Sequence, residues 1–331
     1  MRYLPAAILA LTCAPLAAEA PAPAAPPLRI WGTPAMLGLA ERWAEAFRAR
    51  HPEVRFEFRM KGSDSAIHGL TGGVADLALM GRENDEVDDN GFARPKTYPA
   101  TRIEVANGSL AAVGKSPALA VLVPEGNPLR SLSVAQLGRI LSCGVGGPRP
   151  IRTWGELGLK GAWAARPVRV YAPDLASRTG RWLQDQVAGK ERRMCWDRIV
   201  ELDDARRLDG TIENAAERVG KAARADPAAL AIADAGQAFD GLRVVGLAAG
   251  AGAPPRFPTR ETIAARAYPL QRAVYAFVDR KPGTPLPPVL AAFLRFVLSP
   301  EGQAQVRAEG DYIPLDAKTA DAQAKIVEEL K

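Results

Sequence analysis

Five hydroxyl side chains stand where the sequence turns from a strand pattern into a helix pattern: Thr33, Ser63, Ser65, Ser177 and Thr179. A hydroxyl there can donate a hydrogen bond, and the first backbone N–H groups of the following helix have no partner within it. The helix dipole favours negative charge at the same end, so such a junction is suited to holding an oxyanion. Taken singly, each Ser or Thr also has a structural reason to be there, because these residues cap helix N-termini. Their recurrence at several junctions points to a ligand. Arg82 and Arg178 flank two of the junctions and can add charge-assisted bonds. The chemistry this implies is capture of a small anion.

Catalytic groupings are scarce. The chain has only two histidines. His51 sits at a helix end before Pro52 and His68 on a short helix pattern, and neither falls in a nucleophile motif; G-x-S-x-G, S-x-x-K and H-E-x-x-H do not occur. No catalytic residue, metal ligand or cofactor is expected. The run from Gly108 to Ser116, GSLAAVGKS, looks like a phosphate-cradling P-loop, but Ser109 stands where the first glycine is required.

The elements that must position these hydroxyls alternate between strand and helix. Leu28 to Trp31 reads as a first strand, Met36 to Arg50 as an amphipathic helix, and Val54 to Met60 as a strand with one wet face. That strand runs into Gly62-Ser63-Asp64-Ser65 and a short helix; a buried strand, Asp76 to Met80, then ends at Gly81-Arg82-Glu83. Asn84 to Thr97 is polar and without periodicity. Strand patterns recur at 103–106, 118–123, 168–172, 230–233 and 242–247. Ser133 and Thr211 read as caps of intervening helices. Tyr268 to Val278 reads as one long strand, followed by helices at 289–298 and 301–309. This order predicts an α/β architecture of helix-covered parallel sheets, with ligand contacts outside the carboxyl ends of the strands.

Arg2, the apolar run Leu4 to Leu16, and Ala18-Glu19-Ala20 have the pattern of a signal peptide over residues 1–20. The mature chain is then exported and soluble, and roughly 310 residues suffice for two units. The formal net charge of +6 is compatible with anionic ligands, but the basic residues are scattered and no nucleic acid is expected as partner. Cleavage leaves Cys143 and Cys195, an even pair that in an oxidising compartment reads as a disulfide, the other reading being two buried thiols that never meet.

GSDSAIHGLTGGVADLALMGRE, ALAVLVPEGNPLRSLSVAQLGRIL, and YPLQRAVYAFV followed by FLRFVLSPEGQAQVRAEGDYIPL resemble the phosphate-binding substrate-binding proteins of ABC importers over nearly the whole mature chain. The resemblance implies a two-lobed periplasmic-binding-protein-like fold. Each lobe would be a central mixed, mostly parallel sheet flanked by helices, with hinge strands joining the lobes. Residues 28–112 plus 268–331 would form lobe 1, and 113–267 lobe 2. It further implies a monomer in the periplasm that takes phosphate or a similar oxyanion between its lobes and serves an ABC permease.

Carried onto this sequence, the ligand-binding positions are Thr33 (hydroxyl and N–H), Ser63, Asp64 and Ser65 of the Gly-Ser loop, Gly81 and Arg82 of a Ser-Arg pair, and Ser177, Arg178 and Thr179 of an R-x-x-x-S-G-T loop. Four positions depart from the pattern. Pro173 stands where the loop's arginine is expected, Arg178 replaces its glycine, Gly81 replaces a serine, and Asp64 puts a carboxylate inside the first-lobe loop. Arg178 either supplies the missing charge or marks an altered site. Asp64 either accepts a proton from hydrogen phosphate or points to solvent. The alternatives are another oxyanion or a small organic acid in the same cleft, a non-transport sensor or interaction module, and an exported phosphatase-like hydrolase.

Overall fold

The computed structural model describes residues 26–112, 114–144, 147–174, 177–188, 194–237 and 239–328. The signal-peptide pattern at 1–20 lies outside them. Along the chain the first elements are β1 (Leu28–Gly32), α1 (Leu37–Arg48), β2 (Phe56–Arg59), α2 (Ser63–Thr71), β3 (Leu77–Met80), α3 (Glu86–Lys96) and β4 (Thr101–Ser109). Then come β5 (Leu119–Pro124), β6 (Ser131–Ser133), α4 (Val134–Leu141), β7 (Arg169–Pro173), α5 (Arg178–Ala188), β8 (Ile199–Leu202), β9 (Ala205–Arg206), β10 (Ile212–Glu213), α6 (Ala215–Arg224), β11 (Ala229–Asp234), β12 (Leu242–Ala248) and α7 (Arg260–Ala264). The tail comprises β13 (Ala273–Val278), α8 (Pro288–Leu298), α9 (Pro300–Glu309), β14 (Tyr312–Ile313) and α10 (Ala317–Glu328).

These elements build two lobes, each on a six-stranded mixed sheet. The first has the order β14-β4-β13-β3-β1-β2, with β1 parallel to β2 and β3, and β13 antiparallel to β3 and β4. The second has the order β6-β12-β5-β11-β7-β8, with β11 parallel to β7 and antiparallel to β5. The sheets fold where their strands are apolar throughout, as in LAVLVP and AVYAFV, because helices cover both faces. On lobe 1, α1 turns Leu39, Ala40, Trp43, Ala44 and Phe47 inward, and the Trp43 indole N–H donates to the Gly302 carbonyl at 2.9 Å, fixing α1 against α9. Two chain segments cross between the lobes and bond each other, Gly108 N–H to the Arg272 carbonyl (2.8 Å) and Leu119 N–H to the Leu270 carbonyl (3.0 Å). Gly108 must be glycine, since a Cβ there would lie 2.0 Å from the Ser116 carbonyl oxygen.

Three elements differ from the sequence pattern. The polar stretch 84–97 contains α3, whose signal is its cap and not its periodicity: Asp85 accepts from the N–H groups of Val87 and Asp88, and Asp88 reciprocates. Thr211 lies in the β9–β10 hairpin, held by Asp209, and Asn214 caps α6 instead by accepting from Glu217 N–H. The last long strand begins only at Ala273; Tyr268 to Arg272 precede it, with Tyr268 and Leu270 packed in the lobe 2 core.

Cys143 and Cys195, 52 positions apart in sequence, form a disulfide, and Cys195 N–H also donates to the Leu141 carbonyl. No helix among the described residues is long and apolar enough to cross a membrane.

Candidate functional site: a cationic cleft between the lobes

The carboxyl ends of β1 and β3 in one lobe and of β7 and β11 in the other face a cleft of about 550 Å³. Thr33, Ser63, Asp64, Ser65, Gly81 and Arg82 line it from lobe 1. Arg178, Thr179 and Asp234 line it from lobe 2, and Ser116 and Arg272 from the crossing segments. Two helix N-termini therefore meet across one cavity, those of α2 and α5. Gly62 starts α2 with φ of +116°, a conformation that glycine adopts without strain, and its N–H ties the turn to the Gly32 carbonyl at 2.9 Å. The first intrahelical bond of α2 is Ala66 N–H to the Gly62 carbonyl, so the N–H groups of Ser63, Asp64 and Ser65 precede the helical ladder. Ser63 and Ser65 are thus first-turn residues, not caps.

Several expected contacts are arranged differently. The Thr33 N–H is spent on the Leu79 carbonyl (3.1 Å), leaving its hydroxyl for the cleft. Ser177 does not line the cleft: its Oγ accepts from Gly180 N–H (3.0 Å) and donates to the Asp174 carbonyl (2.5 Å), which makes it the cap of α5. Gly81 leaves room that Ser116 occupies; the Ser116 hydroxyl donates to the Gly81 carbonyl and would sit 3.1 Å from a Cβ at position 81. The Ser116 hydroxyl spends its one proton there, so it does not replace the donor that a serine at position 81 would offer an anion.

Arg82 and Arg178 are tied to carboxylates. Arg82 bonds Asp88 and, at 2.6 Å, Asp64. Arg178 bonds Asp64 at 2.5 Å and Asp85 at 2.8 Å. Asp64 is therefore not an open acceptor: its side chain is 62% exposed, yet both guanidinium groups hold its carboxylate. Burial raises its pKa, but the two guanidinium groups outweigh that and hold its carboxyl below the usual range.

Two cations of the lining have no carboxylate partner among the described residues, the exposed Lys61 and the buried Arg272, which no sequence motif marks. Arg272 is 8% exposed, stacks 5.3 Å from the Trp182 ring, and donates weakly to Thr179 Oγ1 at 3.3 Å. Its Nε has no partner, and among the described residues no carboxylate pairs with it within 4.0 Å. Burial pulls its guanidinium below its ordinary pKa, yet an arginine remains charged at any physiological pH. Asp234, the last residue of β11, faces the same cavity without a hydrogen-bond donor among the described residues. Burial raises its carboxyl to about 6, against the attraction of Arg272.

A carboxyl whose folded pKa exceeds its unfolded value favours folding below the unfolded pKa and loses that contribution as pH rises through about 6. Asp234→Asn should therefore stabilise the ligand-free protein at neutral pH by about 1–2 kcal/mol, after allowance for the carboxyl's partial access to water, and should give no gain near pH 3.5. Thermal melts of both proteins across that range check it; a gain that does not depend on pH would contradict the assignment.

A two-lobed α/β receptor with an anion-competent cleft at the strand ends is the class that this architecture and cleft define. The chain belongs to the PBP superfamily, whose domain model matches residues 17–301. It is 30% identical over 301 residues to the phosphate-binding protein PstS of Pseudomonas aeruginosa, an alignment covering 89% of this chain and 84% of that one. Among solved structures it is similar to PstS from Borrelia burgdorferi, with a TM-score of 0.56 and 16% identity over 87% of this chain and 98% of that chain. It is also similar to an ABC-type phosphate transport receptor from Vibrio cholerae, with a TM-score of 0.52 and 19% identity over 86% and 99%. At those identities the structural likeness bears on the fold.

Proposed function

We propose that the protein is an exported, periplasmic solute receptor that binds inorganic phosphate between its lobes and delivers it to an ABC permease, acting as a monomer and without catalysis. The observation that carries this is the convergence of the α2 and α5 N-termini on one cleft with a buried guanidinium, Arg272, whose Nε lacks a partner among the described residues. Neutral donors (the hydroxyls of Thr33, Ser63, Ser65 and Thr179 and the first-turn N–H groups) surround an oxyanion, and Arg272 supplies the charge. The similarity to phosphate-binding proteins supports the choice of phosphate. We propose lobes close to 28–112 plus 268–331 and 113–267, with the second crossing moved past Leu270 because Tyr268 and Leu270 pack in the lobe 2 core.

Asp234, rather than Asp64, is placed to accept the proton that hydrogen phosphate carries. Near neutral pH sulfate has none to offer, and an acceptor-only carboxylate repels it.

Calorimetric titration of phosphate and sulfate into ligand-free protein tests the reading. Phosphate should bind in preference to sulfate, and Ser63→Ala and Thr179→Ala should each weaken it about tenfold without lowering the melting temperature by more than a few degrees. Unchanged affinity in both variants would move the site elsewhere. Turnover of a phosphate ester by the purified chain would instead favour a hydrolase.

A further inference from the structure

We propose that Arg178, gripping Asp64 and Asp85 from the opposite lobe, is an ionic clamp that holds the cleft closed, with Asp85 and Asp64 as its positioning residues. Asp64 and Arg178 are two of the positions at which the sequence departs from the pattern it resembles, and the structure pairs them with each other. The Arg178 guanidinium spends one end, Nη2, on Asp64 Oδ1 at 2.5 Å, and the other, Nη1, on Asp85 Oδ2 at 2.8 Å. Arg178 opens α5 of lobe 2; Asp64 lies in the first turn of α2, and Asp85 caps α3, both in lobe 1. Arg181, one turn further along α5, reaches Asp85 at 3.7 Å. The lobe 1 partners are themselves fixed, Asp64 by Arg82 and Asp85 by its bonds to the α3 N-terminus.

This geometry joins the lobes through protein side chains alone, so closure does not depend on a ligand to bridge them. A fork satisfied at both ends by pre-positioned carboxylates loses less side-chain freedom than an isolated surface pair. The Arg178 side chain is nonetheless 35% exposed and that of Asp64 62%, so the clamp is screened by salt and can open. A receptor held closed in this way keeps its donors pre-organised for the anion, and the ligand enters and leaves at a rate set by clamp opening.

The test compares wild type with Arg178→Gln, Asp85→Asn and the double variant; Asn at position 85 keeps the helix cap and removes only the charge. Small-angle scattering of the ligand-free proteins at low salt should show the wild type already compact, its radius of gyration unchanged by added phosphate. Arg178→Gln should be expanded and should contract when phosphate is added. Release of phosphate in stopped flow should be about tenfold faster in Arg178→Gln, with Asp85→Asn adding little in the double variant. High salt should expand the wild type and leave Arg178→Gln unchanged. Equal radii and equal release rates in wild type and Arg178→Gln would overturn the clamp. The scattering of ligand-free protein requires no phosphate binding, so a chain that opens on Arg178→Gln but binds no phosphate would refute the ligand and leave the clamp standing.

Discussion

Replacing Arg272 with glutamine is expected to weaken phosphate binding about 100-fold, a loss of about 3 kcal/mol, while leaving the fold intact. The magnitude follows from position. Arg272 lies between the core packing of lobe 2 and the start of β13, is almost wholly buried, and has an Nε with no partner among the described residues. A charge-assisted bond to an oxyanion in such a place has little competing water, and its loss leaves the anion with neutral donors, the exposed Lys61 and two arginines already paired to carboxylates. Arg82 and Arg178 should matter less for affinity at equilibrium, because Asp64, Asp85 and Asp88 already neutralise them. Calorimetry on Arg272→Gln and Arg178→Gln gives the comparison. A larger loss in Arg178→Gln than in Arg272→Gln would reverse the assignment of the binding charge.

Removing the disulfide is expected to cost about 4 kcal/mol. Cys143 and Cys195 stand 52 positions apart in sequence, and in the chain-entropy account a loop of that length contributes about that much by restricting the unfolded chain. The enclosed segment carries β7 and α5, so it includes Arg178 and Thr179 of the cleft wall. The Cys143→Ser/Cys195→Ser double variant should unfold at a distinctly lower denaturant midpoint, with an unfolding slope at least as steep as wild type because the freed unfolded chain exposes more surface. Phosphate should still bind the folded fraction. A midpoint within error of wild type would mean that the bridge adds nothing to stability.

The hydroxyl-bearing junctions could be read from the sequence because strand ends and helix starts have local signals: glycine at 62, serine at 177, buried runs such as LALM. The α/β plan was likewise legible from the alternation of patterns, and the two lobes from the resemblance of the longer segments. Side-chain commitments were not. Nothing local shows that Ser177 turns to its own helix, that the Thr33 N–H goes to Leu79, or that Asp64 meets an arginine 114 residues away. Arg272 was hidden for the same reason. In YPLQRAVYAFV it reads as a wet-face residue of a strand, and only the crossing of two distant segments buries it. Asp234 carried a faint signal, a carboxylate ending the apolar strand ALAIAD at the edge where ligands bind. Helix α3 escaped because its apolar face is small, with Phe92 its one buried large side chain, and its capping Asp85 belongs to a polar run.

The central claim, an oxyanion held between the lobes on Arg272, is tested most directly by a crystal structure of the protein equilibrated with equimolar phosphate in sulfate-free solution. The account requires one tetrahedral anion in the cleft within hydrogen-bond distance of Arg272, Thr179 and the first turn of α2, with one oxygen against Asp234. An anion seated away from Arg272, or a cleft that phosphate leaves unoccupied while the protein binds it elsewhere, would contradict it.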